Sequence, residues 1–191
     1  IAEDWTSAGE QLEAHGLSYL PLRRFCRPLH DMMQLRALLG LRSPVNTLAR
    51  MLNPLRAGAS IQSVFHPAYA ALHQETDRLL GQPSAGVFRG ESGEVEVRPQ
   101  ADTRLSLLAG DTQTELVIPR EQAGRIDPVH SPGVKALRAL WRGTEHDDYG
   151  KAATLATTAA ALLVLRGDTN TREAREEATR LWRTRNSEVL D

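Results

Sequence analysis

The stretch IQSVFHPAYAALHQETDRLLGQPSAGVFRGESGEVEV, residues 61–97, decides how the chain is read. Ile61 to Phe65 is a short apolar run of strand length. Pro67 then opens a helix that runs to Leu80, since proline suits a first helical turn whose N–H would lack an intrahelical partner anyway. Ala85 to Arg89 is a second short apolar run, and Gly90-Glu91-Ser92-Gly93 is a polar turn. Strand, helix and strand in that order predict an α/β fold, a central sheet covered by helices.

Working outward, Glu94–Val97, Arg104–Leu108 and Thr114–Ile118 read as a meander of short strands. Three helices follow, over 132–142, 147–166 and 172–185. Upstream, Trp5, Ala8, Leu12 and His15 fall on one helical stripe that Gly16 closes. Ser18 to Leu22 is a strand candidate, Pro28 to Leu39 a helix closed by Gly40, and Val45 to Leu52 a short segment stopped by Asn53-Pro54. No repeat and no linker divides the chain, so residues 1–191 are read as a single α/β domain.

With 41% apolar and 25% charged residues among 191, the chain can bury a core and is neither disordered nor collagenous. One cysteine, Cys26, cannot close an internal bridge, which suits a reducing compartment. The opening residues have no signal-peptide pattern, and the near-apolar stretch Ala152–Leu165 carries three threonines and is too short to span a bilayer. These features point to the cytoplasm.

The net charge of -1 conceals an uneven distribution. Between Tyr19 and Ser60 stand Arg23, Arg24, Arg27, Arg36, Arg42, Arg50 and Arg56, against the single acid Asp31. Glu3, Asp4, Glu10 and Glu13 precede them without a base. Such a local excess makes a field that a phosphate-bearing partner would feel. The preference for arginine over lysine, which occurs only at Lys135 and Lys151, carries no weight, because a GC-rich genome produces it too.

Other chemistry is sparse. Neither standard glycine-rich phosphate loop is present, and His15, His30, His66, His73, His130 and His146 lack metal-ligand spacing. Glu94 and Glu96 would share one face of a strand and, with Glu91, could hold a hard cation; such alternation is more often the wet face of a strand. Asp147-Asp148 read as charge at a helix N-terminus, and Trp141 and Trp182 as packing residues.

Three segments taken together resemble a known family. They are Phe25-Cys26-Arg27-Pro28-Leu29 with Leu35-Arg36 and Leu39-Gly40-Leu41-Arg42, then Asn46-Thr47-Leu48-Ala49-Arg50 with Asn53-Pro54, then Ser63-Val64-Phe65-His66-Pro67-Ala68-Tyr69 and Arg89-Gly90-Glu91-Ser92-Gly93-Glu94-Val95. In order, they resemble the anthranilate phosphoribosyltransferase family, and most of all its nucleic-acid-binding YbiB-like branch. The resemblance implies the large α/β domain of the anthranilate phosphoribosyltransferase and nucleoside phosphorylase fold. It also implies that an N-terminal helical domain and a pyrophosphate loop belong to a longer parent, a homodimer in the usual form. At the family's chemical positions this sequence departs. The aspartate–glutamate pair that holds magnesium falls on Val95 and Glu96, the substrate-binding histidine on Cys26, and the arginine that meets the anthranilate carboxylate on His30. The glycine–proline of the acceptor tunnel falls on Ala49 and Arg50.

Two readings of function follow, with a plain assembly role behind them. The first is a catalytically silent protein without cofactor that binds nucleic acid, DNA ahead of RNA, through Arg23, Arg24, Arg27, Arg42, Arg50 and Arg56. The alternative is a glycosyl- or phosphoribosyltransferase using phosphoribosyl pyrophosphate and Mg2+ with an acceptor other than anthranilate, in which Glu96 would be the surviving metal ligand.

Overall fold

A computed structural model describes residues 1–40, 44–90, 93–121 and 133–189. The chain forms two compact units, Ile1–Leu52 and Asn53–Asp191.

The first unit is helical: α1 (Trp5–His15), α2 (Leu22–Phe25), α3 (Arg27–Gln34), α4 (Arg36–Leu39) and α5 (Val45–Arg50). Asp4 and Ser7 cap α1 reciprocally, and Gly16 ends it at φ 67°, a left-handed conformation that suits glycine. Two sequence expectations fail here. Ser18–Leu22 is not a strand: the segment is irregular, held by the Ala2 N–H donating to Tyr19 O at 2.8 Å, and Pro21 leads into α2. The helix expected over 28–39 is broken at Leu35, whose N–H bonds to Met32 O at 3.3 Å in a tighter turn before α4 begins. Hydrophobic spacing does not register a reset of one residue.

The second unit contains a four-stranded sheet in the order β1 (Ala59–Val64), β2 (Ser84–Arg89), β3 (Thr103–Ala109), β4 (Thr112–Ile118). β1 and β2 are parallel, joined through α6 (Tyr69–Leu79), and the remaining pairs are antiparallel. β2 is buried from Ser84 to Phe88, which requires cover on both faces. On one face Gly86 lets α8 (Asp148–Arg166) approach so closely that a Cβ there would lie 2.2 Å from Val164 Cγ2. Phe88, Leu105 and Leu107 share that layer with the small residues Ala156, Ala159 and Ala160 of α8 and with Ala174 and Ala178 of α9 (Thr171–Arg183). α6 meets the sheet as well: Gln74 donates to Leu107 O at 2.8 Å, and Gln113 of β4 donates to Glu75 at 2.8 Å. The Arg78 guanidinium and Gln113 hold the Glu75 carboxyl down to about 2.

The expected strand Glu94–Val97 is absent; the segment is irregular. Its backbone groups go elsewhere: the Ser63 hydroxyl donates to Gly93 O, and the Val97 N–H donates to Thr157 Oγ1 at 2.9 Å. Gly90 permits the turn, since a Cβ there would lie 1.7 Å from Glu94 O. The last three helices, α7 (Gly133–Arg142), α8 and α9, fall close to their expected bounds. No helix among the described residues is long and apolar enough to cross a membrane.

Candidate functional site

Charge alone nominated the arginines, and local structure sorts them. Arg23 and Arg24 lie on α2 and Arg27 begins α3, all three exposed. Arg24 Nη2 is 3.1 Å from Glu3, and Arg27 Nε is 3.6 Å from Asp31. Both pairs are exposed, so each contributes little and competes weakly with an incoming phosphate. Arg50 ends α5, half-buried and already engaged. Arg56 belongs to the second unit, exposed at φ 50° in a turn that Asn53 clasps through Ala57. Arg42 lies outside the described residues. The six residues nominated from sequence are thus divided between two units, and Arg23, Arg24 and Arg27 are the set that local structure brings onto consecutive short helices.

The second candidate is the corner after β2. Losing the strand over 94–97 removes the same-face argument for Glu94 and Glu96, and Glu91 lies outside the described residues. Glu96 instead accepts a hydrogen bond at 2.8 Å from the hydroxyl of Tyr149, a buried residue in the first turn of α8. Beside it, Asp147 caps α8, accepting from the Gly150 N–H at 2.9 Å. Together with Val95, Leu137, Leu140 and threonines of α8 these groups line a cleft of about 410 Å³. Sequence reasoning missed Tyr149 and Thr157, which lie 53 and 60 residues from their partners Glu96 and Val97.

These residues are a poor fit for the divalent cation that the family's carboxylate pair holds. Mg2+ keeps several waters and is bound through one or two carboxylates together with a substrate's phosphates. Val95 offers no carboxylate, one oxygen of Glu96 is held by a phenol, and no group of three or more His, Cys, Asp or Glu among the described residues is placed to share an ion. Cys26 and His30 lie half-buried at the start of α3, where the His30 N–H bonds to Cys26 O at 3.1 Å.

Sequence reasoning also missed a buried polar network. Gln62 of β1 donates to both Asp77 carboxylate oxygens at 3.1 and 3.0 Å, while its carbonyl oxygen lies 2.8 Å from His73 Nδ1. All three side chains are buried. Burial pushes the Asp77 carboxyl up, against the lowering effect of the Gln62 amide. The network ties α6 to β1. Trp141 and Trp182 pack edge to face at 5.9 Å with Arg185 over the Trp182 ring, which bears out their reading as packing residues.

Comparison with known proteins places this geometry. Residues 3–184 match the family described as "Glycosyl transferase family, a/b domain". The anthranilate phosphoribosyltransferase of Novosphingobium aromaticivorans is 27% identical over 182 residues, 90% of this chain and 54% of that enzyme. The uncharacterized protein YbiB of Escherichia coli is 28% identical over 119 residues, 61% of this chain and 37% of that protein. Among solved structures, the anthranilate phosphoribosyltransferase of Thermus thermophilus superposes with a TM-score of 0.74 at 25% identity, covering 96% of this chain and 55% of that one. A Ser121Ala variant of the enzyme from Saccharomyces cerevisiae, solved with Mg bound, gives 0.76 at 18% identity over 97% and 55%, a likeness of fold alone. The chain spans about half the length of these two solved structures.

Proposed function

The chain belongs to the glycosyl transferase family with the a/b domain, and on that premise we propose that it has kept the framework while holding nucleic acid, DNA before RNA, on an arginine surface in place of phosphoribosyl transfer. The observation that carries this reading is the exposure of Arg23, Arg24 and Arg27 on α2 and α3, the last two restrained only by weak surface ion pairs. Binding of this kind is phosphate contact with release of counterions, weakly specific for sequence and steeply dependent on salt. The corner after β2 supports the same reading from the other side, since Val95 gives a metal no oxygen and Glu96 is engaged by Tyr149. Fluorescence anisotropy of labelled single- and double-stranded DNA across a salt series tests it, with submicromolar binding that weakens steeply as salt rises as the expected outcome. No binding at low salt contradicts it.

A second reading, favoured by likeness to anthranilate phosphoribosyltransferases over nine-tenths of this chain, is transfer from phosphoribosyl pyrophosphate to another acceptor. It requires Glu96 to serve as a metal ligand. The variant Val95→Asp restores the family's carboxylate pair and separates the readings. If the metal corner is silent in the natural chain, Mg2+ alone raises the melting temperature of the variant and not of the wild type. An equal rise in both supports the enzyme.

A further inference from the structure

The cleft between α7, the first turns of α8 and residues 95–97 plays no part in the nucleic-acid reading, and the transferase reading draws on it only through Glu96. Its charge runs opposite to the arginine surface. Two carboxylates, Glu96 and Asp147, line it, and among the described residues no arginine, lysine or histidine does. The cations of α7 are spent elsewhere: Lys135, Arg138 and Arg142 line a separate groove with Glu145. The N-terminus of α8 would ordinarily attract an anion. Here Asp147 caps it and Asp148 occupies its first turn, so the helix end is already answered by negative charge.

The polar groups are fixed in place. Glu96 Oε1 takes the Tyr149 hydroxyl at 2.8 Å, which leaves its second oxygen to accept a donor. Tyr149 is 6% exposed, so the phenol that positions Glu96 is itself held by packing. Thr157 accepts the Val97 N–H through Oγ1 and retains its hydroxyl proton to donate. Against these stand Leu137 and Leu140 of α7, an apolar wall. A volume of about 410 Å³ falls within the range of small-molecule sites, which combine such walls with a few convergent polar groups.

We propose that this cleft is a binding site for a small organic cation, an ammonium carried on an apolar body, with Glu96 as its counter-ion and Leu137 and Leu140 as the wall for the body. A metal ion is the poorer occupant, since Asp147 is committed to capping α8, one oxygen of Glu96 is taken by Tyr149, and the leucines offer it nothing. A phosphate-bearing ligand is the poorest, because both carboxylates repel it.

The test compares 2-phenylethylamine with phenylacetate on the full chain, two probes with the same ring and opposite charge, by saturation-transfer NMR and thermal shift. The amine is expected to bind with Kd of about 1 mM or tighter, and phenylacetate at least about tenfold more weakly. Glu96→Gln keeps an acceptor for Tyr149 but removes the charge, and should weaken amine binding about tenfold at unchanged melting temperature. Val95→Lys sets a cation on an exposed lining position, where folding tolerates it, and should abolish amine binding. Equal affinity for the two probes, preference for phenylacetate, no amine binding at about 10 mM, amine binding indifferent to both substitutions, or displacement of the amine by equimolar Mg2+ would each overturn the proposal.

Discussion

Residues 53–191 and residues 1–52 place their large apolar side chains in opposite ways. In the second unit Phe88, Leu105, Leu107, Leu108 and Leu163 are almost wholly buried, packed where alanines and Gly86 let α8 approach the sheet. In the first, the buried side chains among the described residues are Ala2, Ala8, Pro21 and Val45. Leu38 is 83% exposed and Leu17 75%. The arginines of the nucleic-acid reading fall mainly in this second class of environment, on short helices whose surface is open. Side chains left open to a partner contribute little packing to their own unit, whereas the second unit is stabilised by burial on both faces of β2.

The widest expected gap tests that division. Phe88→Ala should cost about 3–5 kcal/mol, the range for deleting a buried aromatic ring, whereas Leu38→Ala should stay within about 0.5 kcal/mol. Urea denaturation of both variants checks it; comparable losses would mean that the first unit depends on its leucines as a core. Gly90→Ala comes next. A Cβ would meet the Glu94 carbonyl oxygen, a backbone atom that cannot rotate aside, so a loss of about 1–3 kcal/mol is expected. Amide exchange should quicken over residues 93–97 in that variant.

A smaller effect separates two acids on α6 that titrate in opposite senses. Desolvation raises the Asp77 carboxyl, so its contribution is greatest below the unfolded value of about 3.9 and is lost as pH rises through the folded value. Asp77→Asn should therefore raise the melting temperature at pH 7 and leave it little changed near pH 4. Glu75 runs the other way. Its carboxyl is held at about 2 by Arg78 and Gln113, so its contribution is present above the unfolded value and is lost as pH falls toward 2. Glu75→Gln should flatten the acid limb of the melting curve by a small amount, because the pair lies near the surface.

Much of the framework was legible from local signals. Gly16 and Gly40 both sit at φ 67°, where glycine is favoured, and both mark helix ends as the sequence indicated. The β1–α6–β2 order followed from one proline and two short apolar runs, although α6 begins at Tyr69, with Pro67 in the turn before it and not in its first turn. What was not legible depends on partners distant in sequence. Glu94–Val97 alternates like a strand, yet Ser63 and Thr157 take its backbone groups, and neither residue announces that role. The Glu96–Tyr149 bond has the same character. The buried network carried a weak signal: His73 and Asp77 are four apart on one face of a helix, and Gln62 interrupts an apolar strand. The arginine run was plain as charge, while its division between two units was not.

The measurement that bears most directly on the account is the salt dependence of DNA binding by the full chain and its single variants Arg23→Ala, Arg24→Ala and Arg27→Ala, followed by fluorescence anisotropy. Each substitution should weaken binding to all sequences alike and lower the slope of log K against log salt by about one. Slopes that stay at the wild-type value in all three variants would contradict the assignment of the arginine surface to nucleic acid.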